Sequence, residues 1–221
     1  MSERPFLRQP WVWMTIVVFI AVAAGVGLWA RQALLSRTGT SDERPLEGIQ
    51  RFGAVPEFTF VERSGREFRL ADLREKVWVL DFIYTHCPDT CPIQSAQMKS
   101  LQDEFAPEKD LRFVSITVDP ARDTPAALSE YAGRFSADRE RWLFLTGDKD
   151  AIYALAQEGF HLAVAELPLA SREPAAATHA HSPRFVLIDR KAQIRGYYQA
   201  TDKPALARLR RDLRKLLQSG E

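Results

Sequence analysis

Apolar and polar positions change rhythm several times along this chain, and each rhythm predicts an element. Residues 11–30 carry no charge over 20 consecutive positions. As a helix rising about 1.5 Å per residue, they would cover about 30 Å, the thickness of a bilayer core. Trp11, Trp13 and Trp29 lie near the two ends, where amphipathic rings favour the membrane interface, and Arg4, Arg8, Arg31 and Arg37 flank the run. A transmembrane anchor is expected. A cleaved signal peptide competes, because Ala21-Val22-Ala23 resembles a small-residue cleavage site, but the apolar run continues past it to full spanning length. Residues 1–10 then form a tail. Residues 31–48, rich in Ser, Thr, Gly, Arg and Glu, form a linker.

From residue 49 the rhythm is that of a folded domain running to residue 221. Two alternating stretches, 58–61 and 67–70, are separated by Ser64-Gly65 and predict a hairpin. Residues 77–84 are almost continuously apolar and rich in β-formers, which predicts a central buried strand. A helix with Pro92 in its first turn is expected to run to about Phe105. Further strands are expected at 111–118, 142–145, 185–188 and 194–198. Thr124-Pro125 reads as an N-cap and first helical residue of a helix to about Phe135, and another helix is expected near 148–157. Residues 203–218 place Leu206, Leu209, Leu213 and Leu216 on one helical face. Strands alternating with helices indicate an α/β fold. The late antiparallel pair followed by a closing helix is the thioredoxin-type order: a central mixed sheet flanked by helices.

Composition adds limits. With 46% hydrophobic and 27% charged residues the chain is an ordinary globular protein. A formal net charge of +1 gives no concentrated basic footprint for nucleic acid. The basic tail helix, with Arg208, Arg210, Arg211, Arg214 and Lys215, could meet anionic lipid, although such helices more often cover a sheet with their charges in solvent.

The chemistry concentrates at two cysteines. Cys87 and Cys91 lie in Cys-Pro-Asp-Thr-Cys-Pro, between the buried strand and a helix start. A helix N-terminus favours thiolate, the form that binds soft metals or attacks disulfides. A structural disulfide is the bland alternative, but so short a loop removes little chain entropy. A thioredoxin-like redox pair normally has two intervening residues, whereas this pair has three. A metal site needs further donors, preferably imidazole. His181 opens an extended segment beside residues 185–188, and His179, two positions earlier, would face the same way. His86 is expected to point away from Cys87 in a structural role, and His161 has no motif around it. Two thiolates and one imidazole make a soft, three-coordinate set suited to Cu(I). Cu(II) would need a further oxygen donor, and structural zinc would want four protein ligands. One copper ion per chain is therefore expected. The Asp119-Pro-Ala-Arg122-Asp123-Thr-Pro125 stretch reads as turn and capping chemistry, and also as a charged surface beside the cysteine loop.

Three segments then stand out together. Phe82-Ile-Tyr-Thr-His-Cys-Pro-Asp-Thr-Cys-Pro92, Val118-Asp-Pro-Ala-Arg-Asp-Thr-Pro125 and His181-Ser-Pro-Arg-Phe-Val-Leu-Ile-Asp189 resemble the Sco family, also called SenC or PrrC, in order and spacing over residues 50–217. The resemblance implies a thioredoxin-like domain with an N-terminal membrane anchor, and copper carried by Cys87, Cys91 and His181. Asp119 matches a family aspartate implied to shape the copper site and partner docking. The implied task is assembly of the binuclear copper A centre in cytochrome c oxidase subunit II, with another copper chaperone as donor. The implied location is a bacterial cytoplasmic membrane with the domain facing the periplasm. This chain departs from the pattern in its Ala- and Pro-rich stretch 165–181, which supplies His179 as an extra imidazole.

Three functions compete on these residues. A metallochaperone, not an enzyme, needs His181. A thiol–disulfide oxidoreductase acting on oxidase cysteines or other periplasmic partners needs only Cys87 and Cys91. A peroxidase-like or redox-signalling role on the same fold would require peroxide turnover.

Overall fold

The computed structural model describes residues 49–167 and 178–219, together with positions 14, 17–20, 22, 23 and 25–27. Those early positions are helical, and Met14, Val17, Val18, Phe19, Ile20, Val22 and Val26 are exposed. The rest of the expected anchor at 11–30, the tail at 1–10 and the linker at 31–48 lie outside the described residues. Among the described residues no helix is long and apolar enough to cross a membrane. The chain divides into two units, Met1–Arg44 and Pro45–Glu221.

The second unit is built on an eight-stranded mixed sheet. In chain order its elements are β1 (Gly53–Ala54), β2 (Thr59–Glu62), β3 (Glu67–Arg69), β4 (Val77–Ile83), α1 (Thr90–Glu104), β5 (Leu111–Thr117), α2 (Pro125–Arg134), β6 (Trp142–Thr146) and α3 (Lys149–Ala154). A π turn over Leu155–Gly159 extends α3. Then come β7 (Val164–Glu166), β8 (His179–His181), β9 (Arg184–Ile188), β10 (Gln193–Gln199) and α4 (Lys203–Ser219). The sheet order is β1-β10-β9-β4-β5-β6-β2-β3, and β7 and β8 pair separately. Strands β4, β5 and β6 are parallel, because α1 and α2 supply the crossovers, and the outer pairings are antiparallel. This is the α/β architecture expected from the sequence.

β4 explains why the sheet centre forms where it does. All seven of its residues are buried, so both faces are covered and its apolar run needs no polar alternation. Asp81 is the one charged residue inside it. The helix after it starts two positions before Pro92: α1 takes Asp89 as its N-cap, which places Cys91 in the first turn. Thr124 caps α2 as expected, its side chain accepting from Ala127 N at 3.3 Å. α4 buries Leu206, Leu209, Leu213 and Leu216. Each such leucine contributes roughly 1.5–3 kcal/mol on burial, so packing rather than propensity holds the helix. Arg210 and Arg214 both pair with Glu104 of α1, Arg210 at 2.6 Å. The basic helix is thus an outer layer of the sheet, tied to its neighbour.

Two features escape sequence periodicity. The short hairpin β7–β8 pairs the extended segment expected at His179 and His181 with a strand that was not expected, because three-residue strands are too short to show a period. The turn Leu70–Leu73 is a 3-10 helix. A close approach also constrains β10. A Cβ at Gly196 would stand 2.6 Å from the Tyr198 hydroxyl, which donates to buried Asp212 at 2.8 Å. Gly196→Ala is therefore expected to lower stability by about 1–3 kcal/mol through overpacking, read as a lower urea midpoint at unchanged slope.

Candidate metal and thiol centre

The site forms where β4 and β5 end on the same edge of the sheet. The β4 exit carries Tyr84, Thr85 and His86 into the cysteine loop. Cys87 is 9% exposed and Cys91 fully buried, and both are free thiols. The Cys91 backbone N–H donates to Cys87 Sγ at 3.4 Å, as the open amides of a first helical turn allow. β8 brings in the third group: His181 Nε2 stands 3.0 Å from Cys91 Sγ. One donor atom from each of Cys87, Cys91 and His181 lies within 4.8 Å of the others. Thiolate and imidazole donors sit about 2.0–2.3 Å from a bound ion, so such a trio closes on one ion with little movement.

The other expected residues lie beside this group, not in it. His179 is buried and points, with His181, to the same side of β8, as alternation requires. Both rings pack on Tyr84, with centroids 5.3 Å and 5.9 Å away. His179 Nδ1 lies 2.9 Å from Thr178 Oγ1 and 3.9 Å from Asp119 Oδ2. Asp119 thus faces the extra imidazole, with Arg122 Nε at 3.8 Å on the same carboxylate. His86 is exposed, with its Nδ1 2.9 Å from Thr85 Oγ1. His161 is exposed, with a positive φ of 51°.

The two thiols are electrostatically unlike. Cys87 is held far below the ordinary thiol range. The hydrogen bond from the Cys91 thiol is the main cause, and His181 and the Asp89 and Cys91 amides add to it against the opposing effect of burial. Cys91 is pushed up by donating to Cys87, by burial and by the Cys87 charge. The pair therefore shares one proton, with the charge on the outer sulfur. Beneath them Asp81 is fully buried and raised to about 7, chiefly by burial. Its Oδ1 accepts from Ser115 Oγ at 2.6 Å, and Ser115 in turn accepts from Trp142 Nε1 at 3.0 Å.

Sequence reasoning passed over Asp81, Thr85 and Asp123. A lone carboxylate in an apolar strand was a usable signal for Asp81. Asp123 was read only as part of a turn and of a charged surface beside the cysteine loop. It is fully buried, and its carboxylate accepts from Thr85 N at 3.0 Å, from Thr85 Oγ1 at 2.5 Å and from Thr117 Oγ1.

Fold and site together define a thioredoxin-like domain whose dithiol and imidazole converge on one soft-ligand centre. The chain belongs to the SCO1/SenC family, whose profile matches residues 47–218. It is 38% identical over 94 residues to the SCO1 protein homolog of Bacillus subtilis, a match covering 42% of this chain and 49% of that protein. The matched region thus spans about half the length of that relative. The solved SCO1/SenC family lipoprotein from Bacillus anthracis superposes with a TM-score of 0.69 at 30% identity, covering 76% of this chain and 98% of that one. BsSco, a member of the Sco family of cytochrome c oxidase assembly proteins solved in work on a disulfide switch, gives 0.66 at 27% identity, covering 78% and 98%. Bradyrhizobium japonicum ScoI with copper bound shares the fold, at a TM-score of 0.56, 24% identity and coverage of 72% and 99%.

Proposed function

We propose that this chain is a copper metallochaperone that holds one ion through Cys87, Cys91 and His181 and delivers it to the copper A centre of cytochrome c oxidase subunit II. The observation that carries this reading is the convergence of two sulfurs and one ring nitrogen within 4.8 Å, from elements 90 residues apart in the chain. The donor set is soft and low in number, which suits Cu(I), and it is kinetically open enough to release its cargo. The outer sulfur is already a thiolate, so only Cys91 must lose a proton as copper enters. Asp119 and His179 act as positioning groups, tying the β5 exit to the strand that carries His181. Their burial beside the donors supports that role more than ligation by His179. The uncharged run at 11–30 anchors the chain in a bacterial cytoplasmic membrane with the domain in the periplasm. Helical positions with exposed apolar side chains between 14 and 26 support this.

Metal analysis of the purified full chain in detergent should return one copper per chain. His181→Ala should weaken Cu(II) by about a hundredfold, the share of one ligand in a site worth roughly 10–16 kcal/mol. Unchanged affinity in that variant would remove His181 from the set.

A second reading is favoured by the split between the thiols. A low-pKa outer Cys87 and a protonated inner Cys91 are the attacking and resolving groups of a disulfide reductase. Cys87 thiolate would attack a partner disulfide and expel one partner thiolate. Cys91, giving up its proton to solvent, would then close the intramolecular disulfide and release the second. Reduction of oxidase cysteines that survives His181→Ala and is lost with Cys87→Ser would favour this reading.

A further inference from the structure

His86 is the last residue before the cysteine loop, and its surroundings are not those of a bystander. Its Nδ1 lies 2.9 Å from Thr85 Oγ1, and that same hydroxyl donates to Asp123 Oδ1 at 2.5 Å. A threonine hydroxyl has one hydrogen. With that hydrogen given to Asp123, Thr85 can only accept from His86, so the imidazole carries its proton on Nδ1. In the neutral ring that hydrogen bond leaves the lone pair on Nε2, on an exposed side chain. Asp123 anchors the relay: it is fully buried and also takes the Thr85 amide at 3.0 Å and the Thr117 hydroxyl. A histidine whose second nitrogen is fixed through a carboxylate-supported hydrogen bond is the standard arrangement of a metal ligand. Exposure falls across the three side chains, from exposed His86 to Cys87 at 9% and Cys91 at 0%.

We propose that His86 is the entry ligand of the copper site, taking the incoming ion on Nε2 at the surface and passing it to Cys87. The inference rests on the copper reading above. At the surface a Cu–N bond to His86 forms as the donor's ligand leaves. A Cu–S bond to the Cys87 thiolate then forms as the Cu–N bond breaks, and Cys91 and His181 complete the resident set. Copper stays Cu(I) throughout, so no electron acceptor is needed. The Cys91 proton goes to solvent as its sulfur binds. Because an entry ligand lies on the path in both directions, its loss slows loading and release together and leaves the equilibrium where it was.

The test is stopped-flow loading of the reduced full chain in detergent, with Cu(I) supplied as its complex with a chromophoric chelator. The same chelator titrates the affinity. His86→Gln is expected to load about tenfold more slowly, with affinity within about twofold of wild type. Thr85→Val, which keeps the imidazole and removes its support, should slow loading in the same direction. Equal loading rates in wild type and His86→Gln would overturn the proposal. So would a fall in affinity matching the fall in rate, because that is the mark of a resident ligand. If wild type takes up no copper, the copper reading itself falls. If His181→Ala still loses affinity while His86→Gln loads normally, only the entry ligand is lost.

Discussion

Cys87→Ser should lose at least about a hundredfold in Cu(I) affinity, and with it the thiolate-to-Cu(II) charge-transfer band of the oxidised complex. The magnitude follows from dividing a metal-site free energy of roughly 10–16 kcal/mol over three or four donors, about 2.5–5 kcal/mol each, of which the lower end is about a hundredfold. A serine hydroxyl is a hard, protonated donor and restores almost none of it. Cys91→Ser should lose a comparable amount and do something more in the copper-free chain. The Cys91 thiol is the main reason Cys87 titrates so low. A low pKa keeps Cys87 ionised, and open to alkylation, until the pH falls through that lowered value. Removing the Cys91 thiol should therefore move the alkylation midpoint of Cys87 upward, toward the ordinary thiol range. A charge-transfer band that persists in Cys87→Ser would remove that sulfur from the ligand set. An alkylation midpoint unmoved in Cys91→Ser would show that the helix start, not the neighbouring thiol, sets the reactivity.

The second large effect belongs to Asp81. Its carboxyl titrates near 7 in the folded chain against an ordinary 3.8, because burial disfavours the charge more than Ser115, His181 and Gln94 can restore it. The unfolded chain releases this proton near 4 and the folded chain only near 7. Between those values the folded state binds more protons, so stability falls as pH rises through that window. The loss is absent below about pH 4 and complete above about 7. Asp81→Asn keeps an oxygen for Ser115 and carries no charge. It should therefore stabilise the chain at pH 8 by at most about 4 kcal/mol, and hardly at all at pH 4. Urea midpoints of the two proteins at both pH values measure the difference directly, and subtracting them cancels the other carboxylates. Equal midpoints at pH 8 would mean that the ionised carboxylate is accommodated without penalty. Copper stoichiometry should be unchanged, since Asp81 is not among the donors.

Most of the elements were legible because their signals are local. The continuous apolar run of β4, the Thr124-Pro125 start of α2 and the leucine face of α4 each depend on residues a few positions apart, and each formed where its pattern predicted. The hairpin β7–β8 was not legible, since three residues hold too little pattern. Pro92 falls in the first turn of α1 as expected, at its third position, where a missing N–H costs nothing. The lone charge of Asp81 inside an apolar strand was visible, but its partner Ser115, 34 residues further on, was not.

What the sequence determined by itself is the set of elements and the chemistry they carry. Two thiols sit at a strand-to-helix junction, and two histidines on one extended segment face the same way. Which of these groups meet was decided by the tertiary structure. Cys91 and His181 are 90 residues apart, and Thr85 and Asp123 are 38 apart. They come together because β4 pairs with β5 in parallel and with β9 in antiparallel fashion, bringing the ends of all three to one edge of the sheet. Strand pairing of that range reflects the burial of whole faces, which no short stretch of sequence encodes, and the relay from His86 to Asp123 exists only once those strands have found each other.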